Sequence, residues 1–414
     1  MARVRVLVAL AAAAALATAC TKEAAKPAPA VPAPAGPRTA APAGPKAAAP
    51  VAAAAAKPAT AGCELPAPVT GNVTINQGCV VTVKEEVDVK EGAVLTIQPG
   101  AKLSFTPDGY LYVDHGQLVA RGTTEAPIVF TSANPTGGAG DWIGLVFEEK
   151  TMAGTVLDHV VVEFAGKTGS YGHGGITVKG AGAPRRITIT NSTIRKNEQA
   201  GLTNLTDQGT FAKLAGNTFS ANGTSLRIQA NLLGSVGPNT FGDPVHVEGN
   251  VTATQTWPKL DVPLLVDANL TVGGDKAAAI LTLPEKATLK FAPDTYLWIG
   301  AESGGAVVAK GVTFTSANAS ATPGDWVGVV IEEKSNGTVL DGCTIELAGK
   351  EGGYGKGALT FRGVKPGPGV KLTATTFRKN KQAAIATDEG DCGDLAKPAA
   401  ANKSEGAPLC RKPE

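Results

Sequence analysis

Beyond residue 62 the sequence has no helical hydrophobic period of useful length and no apolar run long enough to cross a bilayer. A helical bundle and further membrane-spanning helices are therefore not expected. Histidine is scarce: His115, His159, His173 and His246 are scattered, with no two at metal-ligand spacing, so no zinc site is expected. No glycine-rich phosphate loop leads into a helix, no serine stands in a nucleophile elbow, and "TDEGDCGD" (387–394) lacks the ligand order of a calcium loop. No metal or cofactor is expected. Neither sign of charge dominates, with 38 Lys and Arg against 36 Asp and Glu. Residues 1–62 hold 7 of the basic and one of the acidic residues, leaving 31 basic against 35 acidic in the rest. A mildly acidic folded part speaks against nucleic acid as a partner.

What the sequence has is repetition. "GDWIGLVFEEK" at 140–150 returns 184 positions later as "GDWVGVVIEEK" at 324–334. "FTSAN" occurs at 130–134 and 314–318, and "GTVLD" at 154–158 and 337–341. "LTIQPGAKLSFTPDGYLYV" (95–113) aligns with "LTLPEKATLKFAPDTYLWI" (281–299). Two related blocks follow, 63–248 and 249–414, the second carrying a C-terminal cap. The first has an extra stretch near 208–248.

Within a block, apolar residues alternate with polar ones over short runs: Leu95/Ile97, Leu103/Phe105, Leu111/Val113, Ile128/Phe130. A period of two places both members of a pair on one face of a strand. Gly, Pro, Asn and Asp separate the runs. Asn-Gly and Asp-Gly hairpin turns, "PDGY" and "ANGT" among them, are few for so many strands. The 51 glycines and the even spacing favour a chain wound one way. With its carriers "LTIQPGAKLSF", "APIVFTSAN", "GDWIGLVFEE" and "VLDHVVVEFAG" and their second-block partners, the sequence resembles the right-handed parallel β-helix repeat family of secreted bacterial proteins. The resemblance implies an all-β solenoid of roughly 20–25 residues per coil. It leaves function open, since that family hosts lyases, adhesins and others.

Residues 1–19 read as a signal peptide: Arg3 and Arg5, then a short apolar run ending in small residues. The ending "LATAC" resembles a bacterial lipoprotein signal, although Ala17 stands where leucine is usual and Leu16 lies one place earlier. The resemblance implies cleavage before Cys20 and its lipidation, and Thr21 after it implies a protein lipid-anchored at the outer membrane. Residues 20–62, nearly all Ala, Pro and Lys, are expected to form a disordered, extended stalk. Cys63 and Cys79 lie 16 apart and Cys392 and Cys410 lie 18 apart, each pair expected as a local disulfide that caps one end of the solenoid. Spacing alone admits three pairings of four cysteines. Cys343 aligns with Val160 and is expected as a buried apolar residue.

Three sets of residues are candidate sites. Tyr110 and Tyr112, with Tyr296 and Trp298, should share the outer face and form a flat stacking surface for glycans, unless a loop covers them. Asp141–Trp142 and Asp325–Trp326 suit a turn whose indole covers the join between coils; the rival is a sugar-stacking indole at a groove rim. Glu163 and Glu346 should point outward, pairing with Lys167 and Lys350 or with a neighbouring coil. A catalytic role there would need a second carboxylate or a calcium cluster, and neither is legible. The expectation is a non-catalytic cell-envelope lipoprotein whose rigid β-helix surface binds a polysaccharide or an envelope protein. The alternative is a polysaccharide lyase or glycoside hydrolase working along a groove.

Overall fold

A computed structural model describes residues 60–180, 187–207, 211–274, 276–350, 354–363, 369–388, 392–393 and 401–411. The expected signal peptide, Cys20, nearly all of the stalk and part of the acidic 387–394 segment lie outside the described residues.

The chain walks round three faces in turn. Val94–Ile97 lies on face one, Lys102–Phe105 on face two and Tyr110–Val113 on face three, and Gln117–Arg121 returns to face one. Every ladder between strands is parallel, each strand pairing with its equivalents one coil before and after. Parallel pairing needs a crossover of a dozen or more residues, and here the other two faces supply it. The alternation read from the sequence is the alternation of the pleat: Leu95, Ile97, Leu103, Phe105, Leu111 and Val113 all point inward and are almost completely buried. They form one continuous apolar interior.

Coil length departs from the expected 20–25 residues. On face three, Leu111 pairs with Leu145 and Leu145 with Ile176, longer excursions than the one from Val87 to Leu111. The surplus sits in the loops that carry Trp142 and Tyr171, and both are repeated in the second block.

The two blocks join without a break, but not in phase. Face one ends at Phe211–Ala215, and the short helix Ala230–Leu233 follows Thr224–Gln229 where the next face-one strand would stand, with Ala230, Leu232 and Leu233 buried. The next coil holds the strand Val245–Val251, which turns a corner at Gly249, whose φ of 89° suits glycine. Its first half pairs with Leu264–Val266 and its second half with Leu270–Val272. Leu264–Val266 then pairs with Leu289–Phe291, so face three of the first block continues into the strands equivalent to face two. Leu270–Val272 pairs with Leu297–Ile299, the equivalents of face three. The second block is therefore displaced by one face. A solenoid core is apolar on every side, so the displacement leaves the interior filled.

Cys63–Cys79 and Cys392–Cys410 are disulfide-bonded, at the outermost described rungs of the two ends. Cys343 is a free thiol, buried as its alignment with Val160 suggests; burial pushes it up to about 11.

Candidate functional site

The repeated motif explains itself by packing. Trp142 is fully buried, stacked 4.0 Å from Phe105 at 9°, and its Nε1 donates to the Glu163 carbonyl at 2.8 Å. Asp141 closes the turn by accepting from Ser132 Oγ at 2.7 Å and from the Gly138 N–H at 2.8 Å. In the second block Trp326 stacks 4.3 Å from Phe291 at 10° and donates to the Glu346 carbonyl at 2.8 Å, while Asp325 accepts from Ser316 and Asn318. Gly144 completes the motif: with φ 135°, a Cβ there would lie 2.5 Å from the Gly174 carbonyl oxygen. The groove-rim alternative for the two tryptophans is excluded, because neither indole has an exposed face.

Glu163 and Glu346 do not pair with the lysines named from the sequence. Glu163 lies beside Arg195 of the next coil, which donates to it at 2.8 Å, and it accepts from Thr131 of the preceding coil at 3.0 Å. Glu346 repeats this with Arg378 at 2.5 Å and Thr315 at 2.9 Å. Lys167 reaches Asp108 instead, at 3.0 Å, and Lys350 reaches Asp294. Both carboxylates thus serve a ladder that ties three coils together. Such a committed ion pair is poorly placed to trade a proton with a substrate.

The outer face of the sheet holding Tyr110–Val113 differs in character. Tyr110 and Tyr112 are half-buried and meet edge to face, with centroids 6.4 Å apart. Exposed Tyr171, from the loop before Ile176–Val178, leans on both at 6.5 and 5.9 Å. The second block repeats the cluster: Tyr296 and Trp298 at 5.5 Å, with exposed Tyr354 at 5.9 and 4.7 Å. All five tyrosines of the chain thus lie in two equivalent clusters, joined by Trp298. The expected flat platform is corrected to a packed cluster: the loop ring folds down, and the exposed rings are Tyr171 and Tyr354, each with a cation over it. Both were missed, although "YG" at 171–172 and 354–355 repeats in the sequence.

Polar groups hold the rings. The Tyr110 hydroxyl donates to Glu86 at 2.6 Å and the Tyr171 hydroxyl to Glu148 at 2.7 Å. Burial, then the bond to Glu86, pushes the Tyr110 phenol far above its ordinary value; burial does most of the same for Tyr112. Lys179 lies over the Tyr171 ring, and burial lowers its ammonium despite Glu148 at 3.8 Å. In the second cluster Arg362 lies 4.5 Å from the Tyr354 centroid and 5.4 Å from that of Trp298.

His173, two residues beyond Tyr171, lines a groove of about 550 Å³ with Gln199, Thr203, Arg227, His246 and Glu248. Asp267 accepts from His246 Nδ1 at 2.6 Å and pairs with Arg227 at 3.2 Å. Burial, with Lys179 and Arg227 nearby, lowers His173, favouring its neutral imidazole. Part of this wall comes from the stretch 208–248, which has no second copy, so the alignment of blocks gave no signal for it. Among the described residues, no three His, Cys, Asp or Glu side chains come together in a way that would hold a metal ion.

Residues 67–181 match the family model described as a pectate-lyase like beta helix domain. The match covers most of the first block, including Trp142, Glu163 and the first tyrosine cluster. Searches of curated proteins and of solved structures found no match. The matched segment, together with the stacked parallel sheets that continue beyond it, makes the fold a right-handed parallel β-helix.

Proposed function

We propose that this β-helix is a non-catalytic envelope lipoprotein that binds glycans through its two aromatic clusters. Acylation of Cys20 anchors it to the outer membrane, and residues 21–62 space the solenoid from the lipid surface. The observation that carries the reading is the placing of every tyrosine in two equivalent outer-face clusters, each ending in an exposed ring. The exposed parts of the Tyr171 and Tyr354 rings offer apolar contact to a sugar, while the flanking carboxylates and the cations over the rings offer bonds to its hydroxyls. A core role would not require Tyr171 and Tyr354, which are 47% and 42% exposed.

The test is binding of the full chain to an array of neutral and acidic oligosaccharides. Tyr171→Ala with Tyr354→Ala should weaken every positive signal at least ten-fold with the fold intact. Unchanged binding by the double variant would remove the clusters from the function.

One observation favours catalysis instead. Arg227 and His246 line the groove and both contact Asp267, a constellation a lyase or hydrolase would use more readily than Glu163 or Glu346. Shortening of a bound oligosaccharide, abolished by His246→Asn, would establish that reading.

A further inference from the structure

The two aromatic clusters do not share a face. Along face three, the register column opposite the core runs from Tyr112 through Val146, Thr177 and Thr203, which are buried, and Arg227, His246 and Leu265 to Lys290. It never meets Trp298, which stands in the column begun at Gly249–Val251, one face further round. Seven ladder steps separate the strand of Tyr112 from that of Lys290, so at roughly 4.8 Å per step the clusters lie about 34 Å apart along the axis. The register through the first cluster thus leads to Lys290 and not to the second cluster.

Charge at the clusters selects the class of chain. Glu86, Asp88 and Glu148 border the first cluster, opposed by Lys179 and Lys90. At the second, Arg362 is offset by Glu332 at 3.6 Å. Neither offers the surplus of cations that a polyanionic glycan needs to offset its own charge.

We propose that the protein is bivalent for uncharged polysaccharide, holding one chain at each cluster and so bridging two chains. The inference rests on the glycan reading above and adds the substrate class and the stoichiometry. The clusters are not equal, because only the loop of the first places a residue, His173, in the polar groove; the site that includes Tyr171 is the tighter one.

The experiment is calorimetric titration of the full chain with the best-bound neutral oligosaccharide from the array, too short to touch both clusters. An oligogalacturonate of the same length is the charged comparison. Two sites are expected; Tyr171→Ala should leave the weaker one and Tyr354→Ala the tighter one. The parent polysaccharide should be cross-linked, with turbidity that either single variant abolishes, and the oligogalacturonate should bind at least ten-fold more weakly. A single site, equal or tighter binding of the galacturonate, or saturation of both clusters by one polymer without cross-linking would overturn bivalency for neutral chains while leaving glycan binding standing. Absence of binding to any glycan would overturn the glycan reading itself, and this inference with it.

Discussion

The Trp142 indole lies almost parallel on the Phe105 ring, 4.0 Å away, and spans the join between consecutive coils. Trp326 and Phe291 reproduce the pair in the second block. Two copies of one stack make a paired experiment. Trp142→Ala and Trp326→Ala should each lose about 3–5 kcal/mol, the usual cost of emptying an aromatic site in a close-packed core. Urea unfolding monitored by circular dichroism checks this. A loss under about 1 kcal/mol in either would mean the indole does not fill the join.

The ladder Thr131–Glu163–Arg195 predicts a small coupling. Arg195 is 43% exposed on its side chain, so solvent screens the pair. A double-mutant cycle of Glu163→Gln with Arg195→Met should give about 1 kcal/mol or less, falling with added salt. Glycan binding should not change. A large loss of binding with Glu163→Gln would return that carboxylate to the list of functional groups.

Asp158 makes stability depend on acid. Burial alone would raise its carboxyl, but bonds from Thr190 at 2.6 Å and Asn191 at 2.9 Å, with His159 beside it, hold it below its ordinary value of 3.8. A lowered folded value means the stabilisation is complete above 3.8 and disappears as pH falls through the folded value. Asp158→Asn should therefore cost more stability at pH 7 than in acid below the folded value. Equal losses at both would assign the effect to packing.

Cys343 should resist alkylation until the chain opens. Its thiol is 1% exposed and pushed up to about 11 by burial, so little thiolate is present at neutral pH and little of it is reachable. In the native protein iodoacetamide should leave it unlabelled, whereas denaturant should make it react within minutes. Rapid native labelling would reveal local opening around residue 343.

Anchoring is tested upstream of the solenoid. Cys20→Ala should move the protein from the membrane to the soluble fraction, because stable attachment requires the acyl chains. Unchanged membrane fractionation would defeat the lipid-anchor proposal.

Much of this was legible before any coordinates. Inward pairs such as Leu111/Val113 are set by the two-residue period, and the buried tryptophans by their repetition in a fixed Gly-Asp-Trp context. Side-chain partners were less legible. Lys167 is near Glu163 in sequence, yet Arg195 takes the carboxylate because it is the next rung of the same ladder. Tyr171 was overlooked because a loop residue has no period to betray it, only its echo at Tyr354.

By itself the sequence determined that the chain winds into stacked coils, since alternation and self-similarity act through local sterics and burial and need no partner. Which rungs meet, and which way each block faces, depends on contacts between coils. Coils of unequal length bring distant residues into register, and the corner at Gly249 turns the second block by one face. That turn follows from the pairing of Val245–Val251 with Leu264–Val272, a contact between coils that no stretch of sequence contains.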